Sequence, residues 1–351
     1  MSFVADSWAT TALLMLVAAL VSAALAGVVM HRAPTRLLDM PGRRRSHSMP
    51  TPRGGGVGFA IALVACGLLP GTATTPATSL LLASAVMAVA AVGFWDDHQS
   101  QAAAVRVAVH VFAVILVLAA LVPTAAVAAG PVMKSLALLG LGLALVWSVN
   151  LHNFMDGIDG LLALQAVFVS IVIAMAALFA GMPMLSRLAL VGAAAVAAFL
   201  PFNFPRARVF MGDVGSGVLG LWLGILAILC IRGSALSLAA VMVVFSAFTL
   251  DATLTLAVRI AHRRRWYSAH REHLYQWLAR SGLSHARVAG LYMLWNLFIV
   301  VPATSAIMRM RPYAGGALAA AVYTAGGLLW CGARMHCLKR VNARRDGDVA
   351  A

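Results

Sequence analysis

Charged residues are scarce in this sequence. They make up 11% of the 351 residues, whereas 62% of the residues are hydrophobic, and the mean hydropathy is +0.92. A soluble domain carries roughly 25% charged residues, so too little polar surface remains here to cover a water-exposed globule. The composition excludes an ordinary soluble enzyme and predicts a protein embedded in a membrane.

Other absences exclude further classes. The four cysteines show no C-x-x-C spacing, which argues against a disulfide framework and against a zinc site. No internal repeat and no soluble domain is apparent, and no basic stretch precedes the first apolar run, as it would in a cleaved signal peptide. Only 11 acidic residues oppose 26 basic ones, giving a net charge of +15. Without a soluble basic domain to bind it, nucleic acid is not an expected partner.

Apolar runs of near-spanning length follow one another along the chain. They lie at roughly 9–31, 54–70, 79–95, 104–122, 135–151, 160–180, 185–201, 214–231, 235–258, 288–308 and 313–333. We therefore expect an all-α integral membrane protein, a polytopic bundle of about 11 transmembrane helices that forms a single domain over residues 1–351. The second run is short and Gly-rich, so it is expected to be bent or re-entrant if it does not span.

The basic residues predict the orientation of this bundle. With the N-terminus outside, 21 of the 26 Lys and Arg residues fall in inside loops and in the C-terminal tail. Lys and Arg concentrate in cytoplasmic loops. We expect a multi-pass protein of the bacterial inner membrane with its N-terminus outside and its C-terminus in the cytoplasm.

The acidic residues away from the chain ends are grouped on one side. Of these eight, only Asp251 lies away from the inside loops, and we interpret it as a helix-packing hydrogen-bond partner. A carboxylate next to hydrocarbon is costly and usually functional. The grouping predicts a site for a divalent cation and phosphate on the cytoplasmic face.

Two acidic segments follow helix ends. Asp96 and Asp97 close the third helix, where adjacent carboxylates can share a cation or favour proton abstraction; a solvated acidic pair is the alternative. The segment NLHNFMDGIDG (150–160) supplies amides and acids for a base, a ribose or a metal. Its glycines let the backbone approach a ligand, and a capped interhelical turn is the alternative.

Basic residues accompany the remaining acids. In FNFPRARVFMGDVGS (202–216), Asp213 is either a helix N-cap or a cation ligand, and Arg206 and Arg208 suit phosphate oxygens. In HRRRWYSAHREHLYQWL (262–278), the arginines indicate a membrane-surface segment. His273 in the same segment can donate to a pyrophosphate or act as an acid.

These segments resemble the polyprenyl-phosphate N-acetylhexosamine-1-phosphate transferases of glycosyltransferase family 4. The resemblance is carried, in the family's order, by PTPRGGG (50–56), FWDD (94–97), NLHNFMDGIDG (150–160), FNFPRARVFMGDVGS (202–216) and AHREHLYQWL (269–278). The O-antigen-initiating branch looks most similar. The resemblance implies transfer of an N-acetylated hexosamine 1-phosphate from a UDP-sugar to undecaprenyl phosphate, with release of UMP, as the first step of O-antigen or other cell-envelope polysaccharide synthesis.

The resemblance also implies roles for individual residues. Asp213 is expected to bind Mg²⁺, or Mn²⁺ in its place, and Asp96, Asp97 and His273 are expected to be catalytic. The expected substrate-binding residues are Asn150, Asn153, Asp156, Asp159, Asn203, Arg206, Arg208, Arg271, His47 and Arg53. Expected partners are a UDP-N-acetylhexosamine or its 6-deoxy analogue, undecaprenyl phosphate and membrane lipids, with a homodimer as an alternative to the monomer.

The histidine-rich loop departs from the family's pattern, which is closer to ADRxHLHH. His270 replaces the acid, and Tyr275 and Gln276 replace the later histidines. This departure argues against the lipid I synthase and leaves the donor sugar open. The acidic residues are compatible with two mechanisms, which are direct in-line attack by the lipid phosphate and formation of a covalent intermediate on an aspartate. A transporter or flippase and a non-catalytic scaffold are rival functions, but one-sided acids without a repeat favour the enzyme.

Overall fold

The computed structural model describes residues 2–32, 37–39, 50–68, 75–122, 130–265 and 270–350, with side chains except at 2–7, 131 and 344–350. Its elements are α1 (Ser2–Arg32), β1 (Leu38–Asp39), β2 (Thr51–Pro52), α2 (Val57–Ala62), a π-helix (Leu63–Leu68), α3 (Pro76–His98), α4 (Ala103–Leu121), α5 (Pro131–Met155), α6 (Leu161–Phe179), α7 (Pro183–Asn203), α8 (Gly212–Arg232), α9 (Leu238–Val244), α10 (Ser246–Ala261), α11 (Leu274–Arg280), α12 (His285–Trp295), a second π-helix (Asn296–Val300), α13 (Val301–Ile307) and α14 (Pro312–Ala350). The predicted helical membrane protein is confirmed, with one addition: β1 and β2 pair antiparallel.

Fewer helices are long enough to span a membrane than the eleven predicted. Within the described residues, nine qualify by length and apolarity, or ten if α9 and α10, which are bent by 76° at their junction, form one span. The expected helix at 54–70 is the short element Val57–Leu68. Twelve residues extend only about 18 Å as an α-helix, against a hydrocarbon core of about 30 Å.

Polar residues begin several helices where the sequence favours a start. The Thr75 side chain accepts a hydrogen bond from the Thr78 amide at the start of α3, and Pro76 occupies the first helical position. Ser237 and Ser284 cap α9 and α12 in the same way. These side chains accept hydrogen bonds from backbone amides that have no partner within their helix, so they fix the residue at which each helix begins.

The centre of the bundle is α8, of whose most apolar stretch 83% is buried. Close helix contact there depends on glycine: a Cβ on Gly220 would come within 2.7 Å of the Ser148 carbonyl oxygen of α5. The Ser148 hydroxyl donates to the Gly220 carbonyl at 2.8 Å. Small residues of this kind let membrane helices approach closely, and here they fix α5 against α8.

The loops predicted to lie on one side do meet at one end of the bundle, which we call the site end. There the Gly56 amide donates to the Met211 carbonyl, Asp97 contacts Asp213, and the Tyr275 hydroxyl donates to the Phe154 carbonyl. These contacts join the segment before α2, the ends of α3 and α5, the start of α8, and α11. The alternation of loops inferred from charge is therefore matched by the packing.

Asp251 has the packing role that the sequence indicated. Its carboxylate accepts five hydrogen bonds, from the hydroxyls of Thr255 and Tyr292, the indole of Trp330 and the amides of Leu274 and Tyr275. This buried acid joins α10, α11, α12 and α14. The four cysteines are free, and Cys331 alone among them is exposed.

Candidate active site

A cavity of about 260 Å³ opens at the site end. Its walls come from the β-hairpin, the end of α3, the α5–α6 and α7–α8 loops, and the starts of α11 and α12. It is lined by Asp39, Arg53, Asp97, Asn153, Asp156, Gly157, Ile158, Asp159, Asn203, Phe210, Gly212, Asp213, Arg271, Gln276 and His285. Five of these side chains are carboxylates and two are guanidinium groups, so the cavity suits a ligand that brings both phosphate and a cation.

Asp97 holds the beginning of α8. Its two carboxylate oxygens accept hydrogen bonds from the amides of Asp213, at 2.9 Å, and Val214, at 3.2 Å. Two glycines allow this approach: a Cβ on Gly93 would lie 2.5 Å from the Val214 nitrogen, and a Cβ on Gly212, whose φ is +74°, would overlap Asp97. A carboxylate at a helix N-terminus is stabilised by the free amides and the helix dipole.

Asp213 is oriented by residues from two other helices. The Asn153 side-chain amide donates to Asp213 Oδ1 at 2.8 Å and to the Ser216 hydroxyl at 2.9 Å. Arg106, from the first turn of α4, lies 3.5 Å from Asp213 Oδ2 and 3.3 Å from Asp96 Oδ2. Asp96 adjoins the cavity lining and does not belong to it. Arg106 was not predicted as a site residue, although its place on an inside loop beside the acid pair was a signal.

The α5–α6 loop supplies the opposite wall. Asn203 fixes it, because its side-chain oxygen accepts from the Gly160 amide and its side-chain nitrogen donates to the Val209 carbonyl, both at 3.0 Å. Asn203 thus ties this loop to the α7–α8 loop. Burial, followed by the nearby carboxylates of Asp213 and others, raises the pKa of Asp156 well above its usual range. A carboxyl group in that position gains from a neighbouring cation.

Two pairs of side chains form part of the cavity wall. Arg53 Nη2 lies 2.8 Å from Asp39 Oδ1, across the β-hairpin. His285 Nδ1 lies 3.1 Å from Asp159 Oδ2, so the start of α12 positions this acid. Neither Asp39 nor His285 was predicted as a site residue. His285 lies outside every motif, and the sequence carries no signal for its contact with a residue 126 positions away.

His273 lies behind the wall of the cavity rather than in it. It caps α11, its ring stacks on Phe154 with centroids 6.1 Å apart, and its Nδ1 lies 4.0 Å from Asp251 Oδ1. Burial lowers the pKa of His273 from its ordinary value, which favours the neutral ring. The structure shows a positioning role, and its expected catalytic role stays a prediction.

Three of the expected substrate-binding residues that the structure describes are not brought to the cavity. Asn150 donates to Val146 O of its own helix at 2.7 Å. Arg206 is exposed, and Arg208 is exposed with a hydrogen bond to the Pro201 carbonyl. His47 lies outside the described residues. The other expected residues, apart from Asp96 and His273, all line the cavity.

The oxygen donors around the cavity suit a hard cation. Among the described residues, no three Asp, Glu, His or Cys side chains are arranged close enough to hold a metal ion by themselves. The carboxylates of Asp156 and Asp213 and the amide of Asn153 are nevertheless hard oxygen donors around one cavity, the type that Mg²⁺ and Mn²⁺ prefer. These residues fit a hard cation that completes its coordination with water or substrate phosphate.

The sequence is similar to those of known transferases. The sequence pattern described as glycosyl transferase family 4 matches residues 78–231. The chain is 30% identical over 313 residues to a decaprenyl-phosphate N-acetylglucosaminephosphotransferase of Mycolicibacterium smegmatis, covering 76% of this chain and 74% of that one. It is 28% identical over 272 residues to a probable undecaprenyl-phosphate N-acetylglucosaminyl 1-phosphate transferase of Bacillus subtilis, covering 75% of each. A phospho-N-acetylmuramoyl-pentapeptide-transferase of Moorella thermoacetica matches over only 87 residues, at 42% identity, covering 25% of this chain and 27% of that one.

Proposed function

The chain is a phosphoglycosyltransferase that belongs to glycosyl transferase family 4, and we propose that it transfers an N-acetylated hexosamine 1-phosphate from a UDP-sugar to undecaprenyl phosphate. An oxygen of the lipid phosphate bonds to the β-phosphorus of the donor, the bond from that phosphorus to the bridging oxygen breaks, and UMP leaves. The product is undecaprenyl-diphosphate-sugar. We assign the step to the initiation of O-antigen or a related cell-envelope polysaccharide.

One observation carries this proposal. Asp97, Asn153 and Asp213 come from three separate helices, yet they are joined by direct hydrogen bonds at one end of a membrane bundle. A transporter would have its charged groups near the middle of the bilayer, whereas these groups lie where helices end. That position lets a water-soluble nucleotide-sugar and a membrane-bound phosphate meet.

The cation in this proposal is Mg²⁺ or Mn²⁺, held by Asp213 with Asp156 and Asn153 beside it. When bound, it would neutralise the phosphate oxygens of the donor. Arg106 would offset negative charge between Asp96 and Asp213, and Arg53 and Arg271 on the cavity lining would donate to donor phosphates. The Asp156 to Asp159 loop would hold the nucleoside side.

The two acids of the α3 pair receive different roles. Both oxygens of Asp97 accept backbone amides, which makes it the residue that positions Asp213. Asp96, held by the Gln101 amide at 2.6 Å and by Arg106, is left to take the proton of the lipid phosphate and orient it for in-line attack. The alternative mechanism has a covalent sugar-phosphate intermediate on an aspartate. Detection of sugar phosphate bound to Asp96 or Asp97 in the absence of lipid acceptor would favour it over in-line attack.

The site end is assigned to the cytoplasm, with the C-terminus on the same side. The charges of Arg53, Arg106 and Arg271 support this orientation, because basic loops stay in the cytoplasm, where UDP-sugars are made. Labelling of single cysteines placed at the exposed residues Gln99 and Arg280 in intact cells tests it. Reagents that do not cross the membrane should leave both unlabelled and should reach a control cysteine at Arg309.

UMP release tests the reaction itself. Purified full-length protein is incubated with undecaprenyl phosphate and a panel of UDP-sugars that includes UDP-N-acetylglucosamine and 6-deoxy analogues, and the lipid product is identified by mass. UMP release should require the lipid phosphate, stop with EDTA and return with Mg²⁺ or Mn²⁺. Arg106→Gln should slow it, whereas Arg309→Gln, at the opposite end, should not. Sugar uptake into vesicles without UMP release would instead show a transporter.

A further inference from the structure

A second cavity lies at the periphery of the helix bundle, between α10, α11, α12 and α14. This crevice has a volume of about 290 Å³ and shares no lining residue with the candidate active site. Leu250, Leu291, Trp295 and Leu329 form much of its wall. Leu291 is 46% and Leu329 is 63% exposed, so the crevice opens toward the surface that faces lipid.

The polar groups inside the crevice already have partners. Its polar lining groups are the Asp251 carboxylate, the Tyr292 hydroxyl and the indole N–H groups of Trp295 and Trp330. The Trp295 indole donates to the Ser246 hydroxyl at 3.1 Å. The Tyr292 hydroxyl donates to Asp251 at 2.7 Å, and the Trp330 indole donates to it at 3.0 Å. A hydrogen-bonding ligand would gain little here, whereas a hydrocarbon chain would cover the apolar wall without leaving a polar group unpaired.

Two arginines stand at one end of this crevice. Arg287 is exposed one helical turn before Leu291, on the same face of α12. The guanidinium carbon of Arg334 lies 5.3 Å from the centre of the Trp330 ring, and its Nε is buried without a hydrogen-bond partner. Because α12 begins at the site end and α14 runs toward it, both arginines lie at that end of the crevice.

No ion pair neutralises these two arginines among the side chains that the structure describes. The acid nearest to them in the crevice, Asp251, already accepts five hydrogen bonds. Glu272 pairs with Arg259 and Arg264. An apolar crevice with unpaired positive charge at one end is complementary to an amphiphile that has an anionic head and a hydrocarbon tail.

We propose that the crevice is a binding site for an anionic phospholipid. One acyl chain lies between α12 and α14, and the phosphate lies between Arg287 and Arg334. The bound lipid contacts Leu274 and Leu278 of α11, and α11 carries Tyr275 against the Asp156 loop. The lipid therefore braces a wall of the active site from outside, without entering the reaction.

Photolabelling tests this site directly. Full-length protein is placed in phosphatidylcholine nanodiscs that contain a trace of phosphatidylglycerol with a diazirine on one acyl chain, or the matching phosphatidylcholine probe. After irradiation, labelled peptides are identified by mass spectrometry. The phosphatidylglycerol probe should label peptides from 285–295 and 326–334, and the phosphatidylcholine probe should label them weakly.

Variants separate the contributions of head and tail. Arg287→Gln and Arg334→Gln should each lower the yield about fivefold, the change that corresponds to about 1 kcal/mol per arginine near an anionic lipid. Ala333→Phe should fill the crevice and abolish its labelling. Leu328→Phe, at an exposed position outside the crevice, and Arg309→Gln, at the opposite end, are the matched controls.

Four results would overturn the proposal. The first two are equal labelling by both probes and unchanged labelling in Ala333→Phe. The third is loss of labelling on addition of a small excess of undecaprenyl phosphate, which would make the acceptor the occupant. Crosslinks to these peptides from a second copy of the chain would likewise make the crevice a dimer contact. None of these readouts depends on catalysis, so failure of the proposed reaction would leave the test valid.

Discussion

Gly157 is a position where one added methyl group should separate activity from folding. A Cβ there would overlap the Tyr275 hydroxyl and lie 3.0 Å from its Cζ atom. That hydroxyl is fixed, because it donates to the Phe154 carbonyl at 2.9 Å and accepts from Gln276 Nε2 at 3.0 Å. In Gly157→Ala, the loop beside Asp156 must therefore shift by about 1 Å, and a misplacement of that size costs about 10²-fold in rate.

A second substitution should restore part of the activity. Tyr275→Phe removes the hydroxyl and its two hydrogen bonds, at about 1 kcal/mol of stability each. In the double variant, the Gly157→Ala methyl group meets only ring carbons. The double variant should therefore be more active than Gly157→Ala alone, which independent effects could not produce.

UMP release and thermal unfolding of the purified variants provide the assay. Gly140→Ala is the control, because a Cβ on Gly140 of α5 meets open space. It should keep full activity and gain up to about 1 kcal/mol of helix stability. Full activity in Gly157→Ala, or a double variant less active than either single variant, would refute the packing on which this reasoning depends.

Three further predictions follow from contacts in and behind the site. Asp97→Asn should lower kcat by about 10²- to 10⁴-fold with little change in KM. The reason is that an asparagine side chain cannot accept hydrogen bonds from the backbone amides of Asp213 and Val214 together. Steady-state kinetics checks this, and an unchanged kcat would contradict it. His285→Ala should raise KM for the UDP-sugar more than it lowers kcat, since His285 Nδ1 lies 3.1 Å from Asp159 Oδ2 and orients that carboxylate. His285→Gln should recover part of the loss. A fall in kcat alone would point to another role for His285. Asp251→Ala should lower the unfolding temperature sharply, because five hydrogen-bond donors lose their acceptor. Each donor that stays buried without a partner costs about 1–3 kcal/mol. An unfolding temperature equal to that of the wild type would rule this out.

Composition and charge were enough to predict the helices and the end at which their loops meet. Apolar length predicted most of the spans, and the distribution of arginines predicted which loops lie on the same side, because both are properties of local sequence. The assignment of that side to the cytoplasm stays a prediction. The run at 54–70 was counted among the spans, with a bent or re-entrant segment as the alternative. The described helix there is Val57–Leu68, which is shorter than a span and ends as a π-helix at Leu63–Leu68.

The contacts that join the site were much less accessible from sequence. Asp97 reaches Asp213 across 116 positions, and that contact depends on Gly93 and Gly212 being small enough to allow it. Arg106 carried only a weak signal and His285 none. His273 was expected to be catalytic because it matches the family's histidine-rich loop, and that role stays a prediction. The packing of its ring on Phe154 is a tertiary property that the motif does not encode.

The two buried aspartates Asp97 and Asp251 each support the fold and the walls of the cavity at the same time. Each accepts the first amides of a helix, α8 or α11, and each helix carries a wall of the cavity. A carboxylate at such a position is stabilised by the helix that it positions, so its removal weakens the fold and displaces the site together. Gly157 differs because it contributes space rather than a hydrogen bond, and its substitution should therefore move the acids while leaving the caps of both helices in place.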